Sequence, residues 1–260
     1  MSKPWVVILG ASSGFGAAAA RAFAAEGHPV FGAHMDRRGT MPQVEALVGE
    51  LEAHGVPVIF HNGNAAADDN RSEALDRLAE GCASTGTGVG VVLHSLAFGT
   101  LRPYFGDERP LTRRQMDMTL DVMAHSLVYW TQDLVSRDLL GSGGRVYAMT
   151  SSGSLACWPS YGAVSAAKCA LESHIRQIAV ELAPRGVTAN AIMAGVTQTP
   201  ALSKIPGSDA IVEVALKRNP HGRLTTPEDV ARCLIALSGP GTAWMTGNVI
   251  QVDGGEAISG

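Results

Sequence analysis

The sequence predicts an α/β protein built on a doubly wound parallel sheet, and three observations predict it. Short apolar runs recur along the chain, continuous rather than alternating, as strands buried on both faces require. Segments of helical character separate them, so the strands are joined by right-handed crossovers and run parallel. The first apolar run ends in a glycine- and serine-rich turn that opens directly into an alanine-rich segment. Ligands on such a sheet sit beyond the carboxyl ends of the strands.

Trp5–Leu9 is apolar throughout and forms the first strand, and the alanine-rich stretch 17–25 forms the first helix. Residues 29–33 and 56–60 are expected as the second and third strands, followed by helices at 43–54 and 71–83. The fourth strand is placed at 89–93, a long helix at 112–139, the fifth strand at 145–149 and a further helix at 161–182. Strands at 188–192 and 248–252 flank a last helix at 227–237. The one long connection, 195–219, mixes Pro200, Pro206, Gly207 and Ser208 with apolar Ala201, Leu202, Ile211 and Val212. Long inserts in compact domains are commonly functional lids, so a substrate-covering loop or helix is expected over about 196–219.

The 260 residues weigh 27.1 kDa, the size of one large α/β unit, so a single domain over residues 1–260 is expected. A net charge of −4 with no basic run argues against a nucleic-acid partner. The apolar stretch 5–11 is too short for a membrane span or signal core, which implies a cytoplasmic protein without membrane association. Cys82, Cys157, Cys169 and Cys233 form no C-x-x-C and have no histidine at ligand spacing. They are expected to be reduced core thiols, with no metal site.

Gly10-Ala11-Ser12-Ser13-Gly14-Phe15-Gly16 closes the first strand and opens the first helix. Glycine lets backbone amides approach a pyrophosphate at the positive end of a helix. The spacing is not Gly-x-Gly-x-x-Gly, and a small-residue loop after a strand also serves as a plain turn. Tyr161 and Lys168 stand seven residues apart, which on a helix returns to nearly the same face. A phenol and an ammonium would then converge on one site; a packed tyrosine beside a solvated lysine is the plainer reading.

The glycine loop, the run Asn190 to Thr199, Gly222-Arg223-Leu224-Thr225-Thr226-Pro227-Glu228-Asp229-Val230-Ala231 and the closing Thr246-Gly247 to Val252-Asp253-Gly254-Gly255 resemble, in order, motifs of the short-chain dehydrogenase/reductase family. The resemblance spans essentially the whole chain, with Leu9 where the family usually has Thr. It implies a Rossmann-type fold and a nicotinamide dinucleotide. Gly10, Ser12, Ser13, Gly14, Phe15 and Gly16 would surround the pyrophosphate, with Asn64 and Ala65 near the adenine. Ser95 and Leu96 would run along the cofactor, Lys168 would hold the ribose, and Gly195, Val196, Thr197 and Thr199 would surround the carboxamide and phosphates. At the end of the second strand His34 replaces the acid that would bind a ribose diol, and Arg37 and Arg38 lie within reach of a 2′-phosphate. NADPH is therefore expected, with NADH the alternative that Asp36 favours.

Ordinary members of the family use Ser, Tyr and Lys, with Tyr four residues before Lys. Here that position is Val164, which cannot donate a proton; Ser151 falls on the family's Ser and Met123 on the Asn of its proton relay. Tyr161 remains as donor, and its spacing resembles the divergent branch of bacterial enoyl-acyl-carrier-protein reductases, as does His94-Ser95-Leu96-Ala97-Phe98-Gly99. The chemistry rationalises the shift. Reduction at the β-carbon of an unsaturated thioester develops charge on a carbonyl oxygen two bonds further away than in ketone reduction, so the donor is set back. Lys168 is also expected to lower the phenol pKa.

The resemblance thus implies an NAD(P)H-dependent reductase of an α,β-unsaturated carbonyl compound, an enoyl thioester free or on an acyl carrier protein. Catalytic residues would be Tyr161, Lys168 and Ser151, and the substrate would meet Ala97, Phe98, Tyr161, Ala201 and Leu202. Tyr147, His94, His125 and Trp158 read as packing or pocket walls. Carbonyl or alcohol oxidoreduction, and nicotinamide binding without turnover, are the alternatives. A homotetramer is expected through the two long helices and the last strand, with Leu120, Leu127, Ile175 and Leu182 supplying exposed apolar patches.

Overall fold

The computed structural model describes residues 2–106 and 109–259. Among them, β1 (Trp5–Leu9), β2 (Val30–His34), β3 (Val58–Asn62), β4 (Val89–His94), β5 (Leu140–Thr150), β6 (Thr188–Ala194) and β7 (Val249–Val252) form one parallel sheet, ordered β3-β2-β1-β4-β5-β6-β7. The helices are α1 (Gly14–Ala25), α2 (Met41–Glu52), α3 (Asp68–Thr85), α4 (Arg113–Leu120), α5 (Ser126–Ser136), α6 (Gly162–Leu182), α7 (Ser208–Arg218) and α8 (Pro227–Leu237). The strand order reverses between β1 and β4, which opens a crevice at their carboxyl ends.

The continuous apolar character of β1 follows from its place at the centre of two cores. Val6 and Ile8 face one side and pack with Phe23 of α1, Leu47 and Leu51 of α2 and Leu234 of α8. Trp5, Val7 and Leu9 face the other, against α3, α5 and α6 through Leu75, Leu127, Trp130 and Leu171. All five β1 residues have no exposed surface. At roughly 1.5–3 kcal/mol per large apolar side chain removed from water, these two layers supply the main driving force of the fold.

Several elements differ from the sequence-based expectation for physical reasons. The first helix begins at Gly14 rather than 17, because the glycine loop turns straight into it. β5 begins at Leu140, which pairs with Val89 before a bulge restores the register at Val91 and Arg145. The long helix at 112–139 is not continuous: α4, capped reciprocally by Thr112 and Gln115, passes into a π turn over Asp121–His125 before α5. The long connection after β6 contains a short 3₁₀ turn, Leu202–Lys204, and α7.

Two further expectations are corrected. Leu127 and Ile175 are core residues, and Leu120 and Leu182 pack against that core. Exposed apolar groups lie elsewhere, among them Val180 at 72%, Trp244 at 97% and Ile258 at 83% of their surface. Of the cysteines, all free, only Cys82 is buried; Cys157 lies in an exposed loop and Cys169 on the outer side of α6. Among the described residues no helix is long and apolar enough to cross a membrane.

The contact between β1 and α1 is closer than any side chain allows. A Cβ on Gly16 would fall 2.0 Å from the carbonyl oxygen of Gly10. Gly16→Ala is therefore expected to lower stability by about 3 kcal/mol, the upper range for overpacking. Urea unfolding checks this, and an unchanged midpoint would contradict the contact.

Candidate active site

A cleft of about 390 Å³ opens at the carboxyl ends of β1, β4, β5 and β6. The residue that follows each of these strands, Gly10, Ser95, Ser151 and Gly195, lines it. Gly10 adopts a φ of 89°, and a Cβ there would lie 2.6 Å from the Ser95 carbonyl oxygen. Ser12, Ser13, Gly14 and Phe15 line the cleft at the N-terminus of α1, whose first amides have no helical partner. Such a cradle fits the pyrophosphate of a dinucleotide. Leu96, Ala97 and Phe98 continue the wall from β4, and Val196, Thr197, Thr199, Ala201 and Leu202 continue it from β6.

Six residues expected at the cofactor do not line this cleft. Gly16 serves the packing of α1 on β1. His34 is buried at the end of β2, its Nδ1 3.0 Å from Asp36 Oδ2. The Asp36 carboxylate also accepts from Thr40 at 2.8 Å and lies near Ser12 of the glycine loop, which helps lower its pKa. Arg37 and Arg38 are exposed beside it and enter no ion pair among the described residues. Asn64 accepts from the Ala66 amide, and the Ala65 carbonyl accepts from the Trp130 indole at 2.8 Å.

At the inner end of the cleft, Lys168 on α6 is 6% exposed and donates from Nζ to the Met149 carbonyl at 2.7 Å. Burial lowers its pKa to about 8, opposed by Glu172. Tyr161 is the N-cap residue of α6, and Ser160 before it takes a left-handed φ of 61°. That conformation costs a non-glycine residue roughly 1 kcal/mol, and here it sets the entry angle of the phenol. Gly153 leaves room for the ring: a Cβ there would be 2.4 Å from Tyr161 Cε1 and 3.1 Å from Ser151 Oγ. Burial raises the Tyr161 pKa, and the nearby Ser151 hydroxyl opposes the rise. The expected lowering by Lys168 is not found, since burial governs the phenol and Ser151 alone moderates it.

Met123, held by the π turn, and Val164 are both buried and form an apolar wall beside Gly99, whose Cβ would lie 2.8 Å from each. Trp158, Ile205 and Ile211 line the mouth. Leu101, Met149 and Gly153 also line the cleft, and nothing in their local sequence signalled it; Lys204 does so from within the expected cover. His94 is fully buried, with Nε2 2.9 Å from Ser126 Oγ, and burial drives its pKa down to about 3. Tyr147 is core, its hydroxyl donating to the Leu237 carbonyl at 2.7 Å. His125 pairs with His174 at 2.9 Å and does not line the cleft.

Residues 10–256 match the family model described as enoyl-(acyl carrier protein) reductase. The chain is 31% identical over 170 residues to the enoyl-(acyl-carrier-protein) reductase (NADH) of Aquifex aeolicus, a match covering 65% of this chain and 63% of that protein. It is 26% identical over 254 residues to 1-cyclohexenylcarbonyl-CoA reductase of Streptomyces collinus, covering 97% and 86%. Among solved structures, the Aquifex aeolicus reductase superposes with a TM-score of 0.84 at 25% identity, covering 100% of this chain and 98% of that one. A short-chain dehydrogenase of Burkholderia cenocepacia in complex with NADP gives 0.82 at 26% identity, covering 98% of both.

The buried ammonium has a consequence for stability. Lys168 has a pKa of about 8 in the fold against an ordinary 10.5, so between these values the folded chain binds fewer protons than the unfolded one. Stability therefore rises with pH across that window, while below it the burial penalty is present in full. The stability difference between wild type and Lys168→Met is expected to shift toward wild type by on the order of 2 kcal/mol between pH 7 and pH 10.5. Urea unfolding of both proteins at the two pH values measures it; a pH-independent difference would contradict the shift.

Proposed function

The chain belongs to the enoyl-(acyl carrier protein) reductase family of short-chain oxidoreductases, whose cofactor is a nicotinamide dinucleotide, and on that premise we propose that it reduces the carbon–carbon double bond of an enoyl thioester. The observation that carries this reading is the position of the donor. Tyr161 is the tyrosine among the described cleft residues, and the residue four before Lys168, Val164, is an apolar wall.

The glycine loop from Gly10 to Phe15 would hold the pyrophosphate, Ser95 and Leu96 the connecting ribose, Lys168 the nicotinamide ribose, and Val196, Thr197 and Thr199 the carboxamide side. When bound, the reduced nicotinamide supplies the hydride. Tyr161 hydrogen-bonds the thioester carbonyl oxygen and stabilises the charge that grows there, then donates its proton. The raised phenol pKa supports a donor that stays protonated until that charge appears. Ser151 orients the phenol, and Lys168 attracts the developing anion from a dry site. Met123, Val164 and Phe98 exclude water around the double bond.

The chain would form a single domain, with residues 196–219 as its substrate cover and Ala201, Leu202, Ile205 and Ile211 against the acyl group. The carrier would be coenzyme A or an acyl carrier protein. Exposed Val180 on α6 and Trp244 before β7 support a homotetramer joined through these faces. A second reading, carbonyl reduction, is favoured by Ser151, which is retained at the position of the family's Ser and lies with Tyr161 against Gly153.

Exposed Arg37 and Arg38 favour NADPH, while Asp36, near Ser12 of the glycine loop, favours NADH. Arg37→Ala combined with Arg38→Ala is expected to weaken NADPH at least tenfold and NADH little, because only NADPH offers a phosphate to these donors. Fluorescence titration of both cofactors checks it, and equal losses would remove the arginines from the selection.

On the reaction itself, the wild type should convert a short enoyl thioester to the saturated product in preference to reducing the matching β-keto thioester. Tyr161→Phe should lower turnover by roughly a hundredfold with little change in cofactor affinity. Product analysis by mass spectrometry decides between readings: exclusive hydroxy product supports carbonyl reduction, and full activity in Tyr161→Phe removes the phenol from catalysis.

A further inference from the structure

The Val196 amide donates to both carboxylate oxygens of Glu256, at 3.3 and 3.1 Å, across 60 residues of sequence. The same carboxylate closes on Gly195, where a Cβ would lie 2.9 Å from Glu256 Oε2 and 2.4 Å from Thr225 Oγ1. The backbone that leaves β6 is therefore gripped from behind, on the side away from the cleft that Gly195 and Val196 line.

The grip is itself anchored. The Asp253 carboxylate, 6% exposed, accepts from the amides of Gly255 at 2.9 Å and Ala257 at 2.8 Å, which fixes the turn that presents Glu256. Asn219, which caps α7, donates to the Asp253 carbonyl at 2.9 Å, and Arg218 at the end of α7 donates to the Ser259 carbonyl at 3.1 and 2.9 Å. One end of the proposed substrate cover and the backbone at its start are thus tied to the same carboxy-terminal turn. Burial and Asp253 raise the Glu256 pKa, and the Val196 amide and Arg218 oppose them, so the contact favours the ionised carboxylate.

We propose that Glu256 is a positioning residue for the nicotinamide half of the site: its carboxylate holds the Gly195–Val196 backbone at the height from which the next residues meet the carboxamide. The proposal rests on the reading that residues 195–199 face the nicotinamide. It makes no contact between Glu256 and substrate or cofactor, and it separates the nicotinamide end of the dinucleotide from the adenosine end.

That separation gives the test. Binding of NADH and NADPH, and of ADP-ribose and 2′-phospho-ADP-ribose, which lack the nicotinamide, is measured by calorimetry for wild type, Glu256→Ala and Glu256→Gln. Glu256→Ala should weaken whichever full dinucleotide the wild type prefers about tenfold, the worth of one charge-assisted hydrogen bond, and leave the fragments unchanged. Glu256→Gln, which keeps an acceptor, should recover most of the loss. Equal weakening of dinucleotide and fragment, undiminished dinucleotide binding in Glu256→Ala, or no recovery in Glu256→Gln would each overturn the proposal. A wild type that binds the dinucleotides but reduces no enoyl thioester would remove the substrate reading alone, because the binding comparison needs no turnover; a wild type that binds neither dinucleotide would remove both.

Discussion

A cation held in a dry interior sets the terms for the cleft. Lys168 spends one of its three donors on the Met149 carbonyl, at the end of the strand that leads into Ser151. That single bond ties α6 to β5 at the depth where β1, β4 and β6 also end. Tyr161 owes its position to the same helix, Ser151 to the same strand, and the apolar wall of Met123 and Val164 closes around them. Burying an ammonium is unfavourable in itself. The Met149 carbonyl offsets part of that cost, at the inner end of the cleft that Lys168 lines.

The pairing of phenol and ammonium reverses their ordinary order. In water a tyrosine gives up its proton slightly before a lysine does. Here burial pushes the phenol up and the ammonium down to about 8, so the lysine is the more willing to release. Ser151, a neutral hydroxyl, moderates the phenol where a charge was expected to. In the proposed reaction the two groups would thus have separate tasks, the phenol holding its proton until charge develops and the ammonium supplying field and hydrogen bonds.

The sheet was legible because strands buried on both faces must be largely apolar, as β1 is throughout and β4 is up to its final His94. The glycine loop and the Tyr161–Lys168 spacing were legible because they are local, each within a single turn or helix. What escaped depends on distance or on packing that no window of sequence contains. The faces of Leu127 and Ile175 were misjudged because the sheet, not the partner, covers them. Cys169 lies beside Lys168 in sequence, yet a helix turns neighbours about 100° apart, which leaves one buried and the other in solvent. Glu256 meets Val196 only because the chain returns through β7 beside β6. Arg37, Arg38 and Asp36 were all visible, but which side chains the glycine loop engages was not.

The π turn at Asp121–His125 is a one-residue insertion into a helix that otherwise keeps time with its neighbours. It lets Met123 face the cleft while Leu127, Trp130 and Leu134, on the following turns, remain in phase with the sheet. An uninterrupted helix would satisfy one requirement or the other, since a single extra residue rotates everything after it by about 100°. Substitution at position 123 and deletion within this turn are thus different kinds of change. The first alters what lines the cleft; the second shifts the phase of the whole helix that follows, and with it the fit of Leu127, Trp130 and Leu134 to the sheet.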